Sequence, residues 1–389
     1  MLFCNLGLTA TGFAAYQPFL ISIAGLSNTQ VSSIGTLRSL FGAICMLATT
    51  KVINRFGIRP LIPISMWATT LAFVLYGFAD NYWGYCIGAV LTGCAYGLGG
   101  SICISVLISR WFHTHVGLAL GICMASTGFS AFVVSPIVTQ LVTTCSLRMA
   151  FHVEAVFIFI ISLIVIRLVR ETPEEMHLRP LGDGQQQAVR RQATFYADNN
   201  PPKSLFVMAC ISIFMIGTTS NNLAYHYSVL YQSNGFLPEQ IAALVSIFGL
   251  SLAAGKCIYG VLCDKLGLFK SNTMMFALQL SGVALCCLAP LGSMMLACAS
   301  VCLMGLGSCV GSVMISTYAI AISTEEAYPA VLSRFQLLSM IGTLTFGVVP
   351  GMIADATGSY IPAFTILFCF VLYTAVSLQI IYLKIQNKK

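Results

Sequence analysis

Long apolar runs, separated by short polar turns, recur along almost the whole chain. A helix needs about 20 residues to cross a bilayer. Twelve runs meet that length, near 2–24, 30–53, 60–80, 82–109, 117–144, 150–169, 204–232, 240–262, 272–290, 293–321, 335–356 and 359–384. The first run has the apolar character of a signal peptide. It has no charged residue ahead of it and further spans follow at once, so it reads as a retained span. One long polar stretch, 170–203, interrupts the pattern and leaves six runs on either side. The expected organisation is therefore an N-terminal six-helix bundle at 1–169, a cytoplasmic linker at 170–203 and a C-terminal six-helix bundle at 204–389.

Composition places these helices in lipid. Of 389 residues, 58% are hydrophobic and 8% are charged, against about 25% charged in a typical soluble domain. A water-soluble fold, a disordered chain and a disulfide scaffold are all excluded. The 16 cysteines are mostly scattered singly inside apolar runs and form no CxxC pair. They read as small hydrophobes, and no metal site or cofactor is expected.

The bases set the expected orientation. With the N-terminus inside, 16 of the 19 Lys and Arg residues fall in inner loops and tails, and Arg148 alone falls outside. That asymmetry predicts both termini to be cytoplasmic, with the protein multi-pass in the plasma membrane, or in the inner membrane of a bacterium. The net charge of +7 follows from topology and is no argument for nucleic acid. Arg190 and Arg191 read as a patch facing anionic lipid headgroups.

The halves carry related loops. After the second run comes Asn54-Arg55-Phe56-Gly57-Ile58-Arg59, and after the eighth comes Gly260-Val261-Leu262-Cys263-Asp264-Lys265-Leu266-Gly267. Each sets an amide or acid, a base and then a glycine in a tight turn. Repetition of the loop at the same place in each half predicts a duplicated unit, the layout of a transporter built from repeats. The fold expected is an all-α membrane protein with twelve transmembrane helices in two pseudo-symmetric six-helix bundles.

On these residues the chain resembles the major facilitator superfamily, whose signature at both loops is G-x-L-x-D-[RK]-x-G-x-[RK]. The second copy fits at Gly260, Asp264, Lys265 and Gly267. The first departs at Thr50 and Asn54, and keeps Arg55, Gly57 and Arg59. The resemblance implies that these loops act as a cytoplasmic gate. A narrower resemblance rests on Gly97-Leu98-Gly99-Gly100, on Arg110-Trp111-Phe112 with Gly117-Leu118-Ala119-Leu120-Gly121, and on Gly255-Lys256. These look like the oxalate/formate antiporter and monocarboxylate transporter branch. Where that branch has Gly-Arg in helix eight, this chain has Lys256, a point charge rather than a fork. The second base of oxalate carriers falls at Ile341, so the resemblance does not extend to oxalate.

Charges within a span are costly, by about 2.5–3.5 kcal/mol on insertion scales, and are functional candidates by default. Lys256 lies roughly 12 Å along the helix from Asp264. It reads as an anion-binding base, or as a lysine that snorkels to the interface. Arg38 lies at similar depth from the other side, flanked by Gly35, Thr36, Ser39 and Gly42. It reads as a second substrate contact or as a structural arginine. His226 closes the polar run Thr218–Asn222 and its sequel, expected to unwind or to line water. It is either a titrating group or a neutral hydrogen-bonded one. Tyr16, Gln17, Tyr96, Asn222 and Tyr227 complete the candidate substrate contacts, with core packing as the rival role for each aromatic.

No Asp or Glu lies mid-span, and Glu154 is expected to pair with Arg148 near the outer end of helix six. Two bases without a buried carboxylate favour an anionic substrate. The expected function is secondary or facilitated transport of a small organic anion, a mono- or dicarboxylate, by alternating access. A proton or a counter-anion is the candidate coupling partner, and the expected state is a monomer. The rivals are an exporter of neutral or amphipathic compounds and a non-transporting sensor of the same fold. The absence of HExxH, of GxSxG and of a buried acid pair argues against an enzyme.

Overall fold

The computed structural model describes residues 1–112, 116–176, 178–179, 181, 203–312, 314–315, 318–319 and 328–386, and nearly all of them are helical. The chain forms two compact units, Met1–Gln192 and Ala193–Lys389. Most of the expected linker, 182–202, with Arg190 and Arg191, lies outside the described residues.

Among the described residues, ten helices are long and apolar enough to cross a membrane. The other two of the twelve spans are present in altered form. The first is a π-helical stretch Phe3–Thr11, a 3-10 turn Gly12–Ala15 and a short helix Gln17–Ser22. Within it the Thr9 hydroxyl donates to the Asn5 carbonyl at 2.7 Å and that of Thr11 to the Gly7 carbonyl at 3.1 Å. The ninth span is the second half of a helix that runs from Pro238 to Cys286 through a kink at Gly267.

The helix starts follow from side-chain caps. Ser27 and Gln30 form a reciprocal capping box at the start of Asn28–Phe56. Asn81 caps Tyr82–Gly99, and Ser146 caps Leu147–Leu168. Each cap satisfies an amide that the first turn leaves open. Two expected single helices are broken. The fourth span stops at Gly99 and restarts at Ser101. The eleventh consists of Tyr328–Phe346 and Val349–Thr357, with Pro350 in the first turn of the second piece. Proline has no amide to continue the ladder, so the break falls just before it.

Large apolar side chains such as Phe159, Ile160, Leu163, Ile164, Leu372 and Val376 are exposed on the helix surfaces. In water they would be a liability; against lipid they are the expected coat. The cores are aromatic. In the N-terminal unit Phe13, Tyr16, Phe73, Tyr76, Tyr85 and Phe151 pack ring on ring.

Candidate functional site

Arg38 sits on the second span, half-buried, with its guanidinium 5.8 Å from the centroid of the Tyr96 ring on the fourth. A cation over an aromatic face is held electrostatically without losing its charge. The two helices approach closely because Gly93 and Gly97 leave room for the carbonyls of Arg38 and Gly42, the small-xxx-small device of membrane helices. Thr36 and Ser39 turn their hydroxyls back onto their own helix. The polar flank of Arg38 is thus satisfied locally, and Gly42 packs against Tyr96.

Tyr16 is fully buried. Its ring stacks on Phe151 at 4.2 Å, and its hydroxyl donates to Glu154 Oε2 at 2.5 Å. Two expectations are corrected here. Glu154 does not pair with Arg148, which bonds Asp80 instead. Nor are the spans free of buried carboxylates, since Glu154 is only 7% exposed. The reason is helical phase. Leu147, Ala150, Phe151, Glu154, Ala155 and Ile158 form the buried face of Leu147–Leu168, and Arg148 lies off it. Gln17 is also fully buried, and neither atom of its amide has a hydrogen-bond partner among the described residues.

Lys256 lies half-buried on the eighth span, within electrostatic reach of Cys309 on the tenth. The preceding Gly255 presses against the Leu306 backbone, so Lys256 leaves its helix beside a tight helix contact.

The polar run on the seventh span neither unwinds nor stands apart from the packing. Lys203–Ser233 is one continuous helix, and most of the run's polar groups are used for bonding. Thr218 Oγ1 donates to the Gly342 carbonyl at 3.1 Å, and Thr343 Oγ1 to the Gly217 carbonyl at 2.9 Å. Asn221 donates to Thr343, and Asn222 to the Thr218 carbonyl. In lipid such groups must be satisfied within the protein. They join the seventh span to the eleventh. His226, 1% exposed, places Nε2 3.3 Å from the Gly347 carbonyl, at the break in the eleventh span, and stacks on Tyr360. The ring is thus held within the bundle by a hydrogen bond and by packing. Tyr227 is buried with its ring 4.7 Å from Phe248.

The two loops share a backbone turn. Gly57 has φ 78° and Gly267 has φ 79°, a conformation that side chains with a Cβ resist. Their surroundings differ. At Gly57 the space is filled by the Glu171 carboxylate, which also accepts from the Arg59 amide at 3.3 Å and forms an ion pair with Arg110. The Trp111 indole donates to the Arg170 carbonyl at 3.1 Å, and Arg59 reaches Glu175 at 3.9 Å. Arg55 lies over Phe56 at 5.3 Å. Gly260 and Gly267 have open space where a Cβ would stand, and Lys265 is exposed. The side chains of Asn54 and Asp264 lie outside the described residues.

Two residues of consequence escaped the sequence pattern. Asn5 bonds Ser65, Thr69 and the Gly99 carbonyl, tying the first, third and fourth spans together. A lone Asn in an apolar run was the available signal. Glu171 gave no comparable signal, because a carboxylate in a polar stretch reads as solvated.

Burial alone would push the Glu171 carboxyl up. The hydrogen bond from Arg110 and those from the Ile58 and Arg59 amides outweigh it and hold the group below the usual carboxylate range. The stability it supplies is therefore present above the unfolded value and is lost as pH falls through the folded one. Glu171→Gln is expected to cost about 1–2 kcal/mol at neutral pH. The deficit should shrink on acidification below the ordinary carboxylate range. Thermal midpoints of both proteins across that range test this, and a deficit that persists in acid would refute it.

Three comparisons bear on this geometry. The family model described as "Major Facilitator Superfamily" matches residues 1–233 and 205–388. Monocarboxylate transporter 12 of Mus musculus is 23% identical over 367 residues, covering 86% of this chain and 74% of its own. The uncharacterized MFS-type transporter YhjX of Escherichia coli is 25% identical over 275 residues, covering 68% of this chain and 64% of its own. Among solved structures, the nucleoside transporter NupG superposes with a TM-score of 0.73 at 11% identity, over 98% of this chain and 96% of that one. That likeness shows a shared fold.

Proposed function

The chain belongs to the Major Facilitator Superfamily, and from that premise we propose that it carries a small organic anion, a mono- or dicarboxylate, by alternating access. The observation behind this reading is the charge held within the spans. Each unit offers one base there, Arg38 in the first and Lys256 in the second, whereas the carboxylate Glu154 is engaged by Tyr16. A site with excess positive charge is occluded at lower cost when the substrate brings a negative one. The similarity to monocarboxylate transporter 12 points to the same substrate class.

In this reading Lys256 is the principal anion contact, and Arg38, braced by Tyr96, is the second. Gln17 offers an amide to the carboxylate or to a substituent beside it. The base-rich end faces the cytoplasm, the membrane is the plasma membrane, and a monomer suffices. Uptake of radiolabelled lactate into proteoliposomes tests the proposal, with succinate and uridine as competitors. Lactate uptake inhibited by succinate and untouched by uridine is expected. Uptake of uridine, with no uptake or competition by either carboxylate, would overturn the reading.

A further inference from the structure

All 16 cysteines are free thiols, and most are scattered singly in apolar runs. Cys45 and Cys94 have a different setting. Cys45 lies on the second span, Asn28–Phe56, and Cys94 on the fourth, Tyr82–Gly99. Both are half-buried, and a hydrogen bond joins their side chains.

The backbones are close at this level for a reason written in small residues. A Cβ at Gly97 would stand 2.5 Å from the Cβ of Cys45 and 2.7 Å from the Gly42 carbonyl, and one at Gly93 would stand 3.1 Å from the Gly42 amide. The Thr49 hydroxyl donates to the Gly97 carbonyl at 2.8 Å, one turn beyond Cys45. Cys94 lies three residues before Gly97, on the same face of its helix. Two thiols are thus held together across a helix contact that their own side chains do not make. A disulfide needs Cβ atoms about 3.5–4.5 Å apart, and helices brought together by glycine meet that demand with little movement. Cys298 and Cys302 show the contrast. They lie four residues apart on the single helix Met294–Gly307, where Cβ atoms stand about 5–6 Å apart and the helix itself resists closure.

We propose that Cys45 and Cys94 form a dithiol modification site that closes to a disulfide by exchange with a low-molecular-weight disulfide and clamps the second span to the fourth. One protein sulfur attacks the small disulfide, whose S–S bond breaks and releases one small thiol. The second protein sulfur attacks the mixed disulfide and expels the other small thiol. The two cysteines lose two electrons and two protons, and the small disulfide gains them as two thiols. Excess thiol reverses the exchange. Cys45 lies seven residues after Arg38, on the same stripe of the helix, so the clamp fixes the helix pair two turns from the Arg38–Tyr96 contact.

The purified full-length protein in detergent tests this without reference to transport. It is incubated with oxidised glutathione, remaining thiols are blocked with N-ethylmaleimide, and unreduced peptides are mapped by mass spectrometry. Peptides linked through Cys45 and Cys94 are expected, dithiothreitol should separate them, and Cys298 and Cys302 should stay unlinked. The oxidised protein should also melt about 5 °C higher than the reduced one, whereas Cys45→Ser and Cys94→Ser should show no such rise. Maleimide on both Cys45 and Cys94 after oxidation, or linkage of either to a different cysteine, would overturn the proposal. So would an equal rise in Cys45→Ser, or a linked protein whose midpoint does not move. The peptide map of the wild type stands by itself if either serine variant fails to fold.

Discussion

Replacing Lys256 with glutamine is expected to reduce carboxylate uptake by a factor of about 30 or more, while the protein still inserts and folds. The magnitude follows from charge. Removing one partner of a desolvated, hydrogen-bonded charge pair costs about 2–5 kcal/mol, and every 1.4 kcal/mol is roughly tenfold. Glutamine keeps the length and a donor, so the loss reports charge rather than shape. Folding should survive, because the close contact of the eighth and tenth spans is made by Gly255 against Leu306, one residue away. Lys256→Arg separates the roles further. It restores charge with a planar fork, so partial uptake with altered preference between mono- and dicarboxylates is expected. Initial rates in proteoliposomes, normalised to folded protein, decide the matter. Uptake by Lys256→Gln at the wild-type rate would remove the lysine from the substrate path.

The largest loss of stability is expected at Gly217. A Cβ there would run into the Ser339 carbonyl, and one at Gly342 into the Phe214 carbonyl. Both obstacles are backbone, which cannot rotate out of the way, so the seventh and eleventh spans must separate. Separation stretches the reciprocal Thr218–Gly342 and Thr343–Gly217 bonds, each worth about 0.6 kcal/mol in membrane proteins. With the overpacking term of about 1–3 kcal/mol, Gly217→Ala should cost roughly 3 kcal/mol, and Gly217→Val more. Gly121→Ala is the control. It has open space around its Cβ position and lies in the helix Val116–Thr144, so alanine should be neutral or mildly stabilising there. Thermal midpoints by size-exclusion chromatography in detergent measure all three. A Gly217→Ala protein as stable as Gly121→Ala would show that this contact does not hold the bundle.

Together these cases separate two kinds of polar residue in the spans. The run 218–222 looked like a cavity wall and serves mainly as helix-to-helix adhesive. Tyr16 looked like a ligand contact and holds Glu154. The substrate argument rests on the two bases of the spans, Lys256 and Arg38, and on Gln17, whose amide has no hydrogen-bond partner among the described residues.

The sequence by itself determined the class of molecule. Twelve apolar runs, 8% charge and a twice-repeated loop left no other fold, because the bilayer admits few ways of satisfying a backbone. It also located Lys256 and Arg38, since a charge in an apolar run stands out at any position. Tertiary structure alone decided what the neutral polar residues and the loop acids do. Glu154 and Arg148 are six positions apart in one helix, and only helical phase and the neighbouring rings determine that one turns inward to Tyr16 and the other outward to Asp80. Glu171 and Gly57 are 114 positions apart, and no local pattern records their contact. Hydrophobic periodicity states which residues avoid water. It does not state which partner a buried hydroxyl or carboxylate will find, because that depends on the approach of another helix.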